Sequence, residues 1–105
     1  MDPIRLRIGI LREGYEYTYG PPFELVSIDA LARKLRANRG EVIFQISYLE
    51  EDGFLERVGW AMPAGYRLTD RGAEWLEREG DRISHWLDEQ ERDPLRETFP
   101  PIEDS

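Results

Sequence analysis

The chain has 105 residues, 40% of them hydrophobic and 34% charged, which is the length of one domain with enough apolar content for a small core. With no cysteine and a single histidine, His85, it has no means to form disulfides, do thiolate chemistry or build a cysteine- or histidine-rich metal site, and no cofactor is expected. The net charge of −8, taken whole, repels phosphate and argues against a nucleic-acid partner.

Asp2-Pro3 reads as a helix start, a capping side chain followed by proline at the first helical position. Ile4, Ile8 and Leu11 follow at helical spacing, and Gly14 is a stop, so a first helix is expected over about 3–13. Tyr15, Tyr17 and Tyr19 then lie in a loop that Gly20-Pro21-Pro22 keeps from being helical, and a short strand is expected over 23–26. Ser27 caps a second helix, 28–36, with Ile28, Leu31, Ala32 and Leu35 as its apolar stripe. After a tight turn at Ala37, Asn38 caps a third helix and Glu41 completes a capping box. Val42, Ile46 and Leu49 form its inner stripe, and Gly53 ends it. A hairpin follows, with strands at 54–60 and 66–68 and a turn at Pro63-Ala64-Gly65. Thr69 caps a helix carrying Ala73, Trp75 and Leu76. Gly80-Asp81 is expected to break it, and Asp81 to cap a further helix with Ile83, Trp86 and Leu87. The folded domain is expected over 1–92, with a frayed acidic tail at 93–105.

No apolar run approaches the roughly 20 residues that span a bilayer. The acidic opening and the interruptions at Arg5, Arg7 and Arg12 do not make a signal peptide, so a cytoplasmic protein without a membrane partner is expected. There is no glycine-rich phosphate loop and no nucleophile motif, so an enzyme is not expected. Glu50, Glu51 and Asp52 are sequence neighbours on a helix and do not face one another; they read as a solvated face. His85 reads as a surface or interface histidine.

The order helix, short strand, helix, turn, helix, hairpin, helix resembles a winged helix-turn-helix domain. Two stretches carry the resemblance best. Tyr48-Leu49-Glu50-Glu51-Asp52-Gly53-Phe54-Leu55-Glu56 is similar to the family's exit from the third helix into the wing. Tyr66-Arg67-Leu68-Thr69-Asp70-Arg71-Gly72-Ala73-Glu74-Trp75-Leu76 is similar to the wing's second strand and the helix after it, as in PadR- and MarR-like transcriptional regulators. Ile28-Asp29-Ala30-Leu31-Ala32-Arg33-Lys34-Leu35 resembles the second helix, and the likeness covers roughly residues 23–79. It implies a mainly α fold with a small β-hairpin wing and helical extensions at both ends. It also implies double-stranded DNA as partner, with the third helix in the major groove and the hairpin at the backbone.

Charge by segment fits this better than the total does. Residues 33–71 hold seven basic and six acidic residues, whereas residues 72–105 hold four basic and eleven acidic. Arg33, Lys34, Arg36 and Arg39 gather around the turn between the second and third helices, as a phosphate clamp or a solvated helix end. With Val42, Ile46 and Leu49 inward, Arg39, Glu41, Ile43, Phe44, Ser47 and Tyr48 fall on or near the outer face. Arg39 suits guanine or phosphate, Ser47 and Tyr48 suit phosphate, and Gln45 suits adenine if the helix is turned that way. Ile43 and Phe44 can touch only thymine methyls. Arg57 and Arg67 in the hairpin strands and Arg71 at the start of the following helix complete the candidate DNA-binding set.

The wing tip carries no cation, and its Trp60 and Met62 point to a protein contact. The alternative function is accordingly a winged-helix protein-interaction module, with Ile43, Phe44, Trp60 and Met62 as its surface. Trp75, Leu76, Ile83, Trp86 and Leu87 are too apolar for a lone surface helix; one face can cover the domain and the remainder is expected at a homodimer interface, joined by the first helix with Ile4, Leu6, Ile8, Ile10 and Leu11, the alternative being a helix folded back within one chain.

Overall fold

The computed structural model describes residues 2–20, 25–58 and 65–92, with side chains as far as residue 89. Four helices and a two-stranded antiparallel sheet follow in the order α1 (Pro3–Tyr19), α2 (Ile28–Leu35), α3 (Arg39–Glu51), β1 (Leu55–Val58), β2 (Gly65–Leu68) and α4 (Asp70–Arg92). The mainly helical fold with a small hairpin expected from the sequence is present. The turn at 59–64, including Trp60 and Met62, the residues Phe23 and Glu24 of the expected short strand, and the tail at 93–105 lie outside the described residues.

Local chemistry sets the element boundaries. The Asp2 carboxylate accepts from the Ile4 and Arg5 amides at 2.8 and 3.2 Å and starts α1. Ser27 Oγ accepts from Ala30 N at 3.1 Å, and Asn38 Oδ1 from Gly40 N at 2.7 Å. Gly53, at φ 80°, closes α3 in the left-handed conformation, with the Phe54 amide donating back to the Leu49 carbonyl at 2.9 Å. Thr69 joins two elements: its hydroxyl donates to the Gly53 carbonyl at 2.6 Å and accepts from the Gly72 amide at 3.1 Å. Arg36 ends α2 with φ 54° and ψ 43°, a left-handed backbone on a residue that carries a β-carbon.

Two helices are longer than expected. α1 continues six residues past its expected end to Tyr19. Gly14 is buried there against Leu55 and Leu68 of the hairpin, so tertiary packing offsets the roughly 1 kcal/mol that glycine costs inside a helix. The three tyrosines therefore stand on a helix and not in a loop. α4 runs unbroken through Gly80-Asp81, because α1 lies alongside and covers its apolar stripe.

α1 is the central element and packs against α2, α3, β2 and α4. That explains apolar residues on several of its faces: Leu6, Ile8, Ile10 and Leu11 are all buried within the chain. The core continues through Leu31, Val42, Ile46, Leu49, Phe54, Leu68, Trp75, Ile83 and Trp86. The hairpin register pairs Leu55 with Leu68, Glu56 with Arg67, Arg57 with Tyr66 and Val58 with Gly65. Val26 adds a single bridge residue to its edge, exchanging hydrogen bonds of 2.8 and 2.9 Å with Tyr66.

The expected dimer contact is corrected here. Trp75, Ile83 and Trp86 are buried inside one chain, and Leu76 and Leu87 are half-buried against the same core. The α4 stripe does not need a second copy to cover it. No described helix is long and apolar enough to cross a membrane.

Candidate functional site

Helices α2 and α3 meet at a tight turn, and the outer side of α3 is open. Arg39, Gly40, Glu41, Ile43, Phe44 and Ser47 are exposed there, Phe44 at 67% and Ile43 at 41%. Arg33, Lys34 and Arg36 are also exposed, so all four cations of the turn reach solvent together.

Their pairing differs. Lys34 Nζ is 3.0 Å from Glu13 Oε2 of α1, and this hydrogen-bonded carboxylate lifts the lysine pKa above its ordinary 10.5. Lys34 is thus a tie between α2 and α1 as well as a surface cation. Arg39 is paired with Asp29 of α2. Arg33 and Arg36 make no ion pair among the described residues, and neither does Arg57 of β1.

The hairpin cations are not brought together. Arg67 pairs across the ladder with Glu56 at 3.0 Å, while Arg57 faces Tyr66 in the neighbouring register position. Because side chains alternate along a strand, Arg57 and Arg67 lie on opposite faces of the ribbon. Arg71 stands over the Phe54 ring, its guanidinium carbon 5.4 Å from the centroid.

Two expected contact residues are turned elsewhere. Gln45 is only 4% exposed, and its Oε1 accepts a 2.8 Å hydrogen bond from Arg7 Nε of α1. The expectation that it reads adenine is corrected: the amide faces the core. Tyr48 is half-buried, with the Arg7 guanidinium 3.8 Å from its ring centroid. Ser47 is exposed, but its hydroxyl donates to the Ile43 carbonyl at 3.0 Å.

Arg7 itself is the residue that sequence reasoning missed. It is 8% exposed, a cation held beneath α3 by an amide and an aromatic face. A signal was present: Arg7 falls three residues after Ile4 and four before Leu11, on the apolar stripe of α1. Beside it, a groove of about 390 Å³ runs between the starts of α1 and α3, with Pro3, Leu6, Arg7 and Phe44 among its walls.

Among the described residues there is no group of three or more His, Asp or Glu side chains that could hold a metal ion. His85 is exposed and lies 3.2 Å from Glu89, one turn along α4. Comparison with known proteins adds no relative: no family model matches the chain, and no curated protein or solved structure matches it significantly.

Proposed function

We propose that the chain is a winged helix-turn-helix protein that binds double-stranded DNA, with α3 in the major groove and the hairpin against the backbone, acting as a small transcriptional regulator. The observation that carries this reading is the open outer face of α3, with Arg33, Lys34, Arg36 and Arg39 all exposed around its N-terminal end. A helix of 13 residues is about 20 Å long, enough to lie along a major groove, and cations at its leading end meet phosphate first. The element order and the Val26–Tyr66 bridge, which adds a third chain segment to the hairpin, support the winged form of the fold. Pairing of two copies across two half-sites belongs to this reading, through surfaces other than the α4 stripe.

The acidity of the chain does not oppose it, because eleven of the 22 carboxylates lie after residue 71. Four turn cations that each displace a phosphate counterion give a log–log salt slope of about −4. Fluorescence anisotropy of genomic duplex fragments titrated with the protein at several salt concentrations is the test. Retention at low salt with that steepness is the expected result, and no retention at low salt overturns the reading.

One observation favours a second reading. Phe44 and Ile43 are large apolar side chains left in solvent on the same face, which suits a protein-interaction module without direct DNA binding.

A further inference from the structure

Resting on the DNA-binding reading, we infer that α3, past its first turn, reads its site through apolar contact between Ile43 and Phe44 and the 5-methyl groups of thymine, and not through hydrogen bonds to base edges. The neutral polar side chains past the first turn of the helix are engaged elsewhere. Gln45, the side chain best suited to bond adenine, is buried and held by Arg7 at 2.8 Å. Tyr48 is half-buried with its ring against the same guanidinium. The Ser47 hydroxyl already donates along its own helix, to Ile43 O at 3.0 Å. Arg39 sits at the first position of the helix, paired with Asp29, and remains suited to guanine or phosphate at that end.

The large apolar side chains left on the open face past the first turn are therefore Ile43 and Phe44, flanking the small Ser47, and Phe44 is the most exposed of the described large hydrophobics. In the major groove the thymine methyl is the one apolar group that projects from a base edge, among edges otherwise marked by donors and acceptors. Pressing Phe44 and Ile43 onto a polar edge desolvates that edge with nothing to pair it, whereas pressing them onto methyl groups removes apolar surface from water on both sides. The exposed cations at the turn hold the duplex in place by charge while contributing little base discrimination. Bound sites are accordingly rich in thymine on the face that α3 meets, and their discrimination is by shape and methylation state at carbon 5.

The test uses the full chain. Duplexes selected by the protein from a random-sequence pool are resynthesised with deoxyuridine in place of thymine, which removes only the methyl group. Affinities are measured by anisotropy for the parent protein and for Phe44→Ala and Ile43→Ala, with circular dichroism as a check that these exposed positions leave the fold intact. Expected are thymine in the selected sites and an affinity loss of about fourfold per contacted methyl for the parent protein. The loss is expected to shrink toward zero in the two variants, with the salt slope unchanged. Equal binding of thymine and deoxyuridine duplexes, an undiminished loss in both variants, or a selected site without thymine overturns the inference and leaves DNA binding standing. No retention of any duplex at low salt overturns both, and returns Phe44 to a protein partner.

Discussion

Arg7, Gln45 and Tyr48 show how a single side chain decides what a helix offers to the outside. Arg7 approaches α3 from below, and the 2.8 Å bond to Gln45 orients an amide that helical spacing alone leaves near the boundary between inside and outside. Removing the amide leaves a buried guanidinium N–H without its acceptor, at a cost of about 1–3 kcal/mol. Gln45→Ala is therefore expected to lower the unfolding free energy by that amount in urea or guanidinium titration. A variant as stable as the parent protein would show that Gln45 is free at the surface. The caps at Asp2, Ser27, Asn38 and Thr69 and the stop at Gly53 were legible in the sequence, because each bond is made within a few residues of the side chain that makes it. The burial of Gln45 was not, because its partner lies 38 residues away.

Glycine misled at the scale of elements for the same reason. Gly14 and Gly80 read as helix ends, yet α1 and α4 pass straight through them: Gly14 packs on Leu55 and Leu68 of the hairpin, and Ile83 and Trp86 beyond Gly80 are buried in the core, which outweighs the local preference. The lengthened α1 brings its tyrosines to α4. Tyr15 Oη donates to Glu77 Oε2 and Tyr19 Oη to Asp70 Oδ1, each at 3.3 Å. The Tyr15 pKa is raised chiefly by the Glu77 charge, and that of Tyr19 chiefly by burial with Asp70 adding to it. Lys34 is raised by Glu13 in the α1–α2 tie. All three groups hold their protons more tightly folded than unfolded. Their contribution is present in full below the unfolded values of 10.0 and 10.5, and is lost as pH rises through the folded ones. Unfolding free energy is thus expected to fall with pH above about 10. Tyrosinate absorbance, with urea unfolding followed by circular dichroism at each pH, checks it: these two tyrosines should ionise later than an ordinary phenol, and the unfolding midpoint should fall as they do. Ionisation at the ordinary value with the fold intact would refute the tie.

For the molecule as a whole, the core is organised around α1, and the α4 stripe is part of that core. The sequence showed that the stripe must be covered but not by what, since periodicity gives a face and no address for its partner. Trp86→Glu separates the two possibilities. A carboxylate at this buried site costs several kcal/mol, a large share of the 5–15 kcal/mol typical of a small domain. The expected outcome is a loss of cooperative unfolding and of native tryptophan fluorescence. Release of a stable, folded single chain would instead place Trp86 between copies. The distribution of charge was legible at this scale, with the carboxylates concentrated after residue 71, away from the α2–α3 turn in sequence.

Arg36 occupies a backbone conformation that glycine or asparagine adopts more cheaply. Under the proposed DNA-binding reading, thermal robustness and grip on a polyanion pull this one codon in opposite directions. Without such a partner, exchanging the arginine for glycine would cost nothing in binding, and the chain would fold more firmly for it.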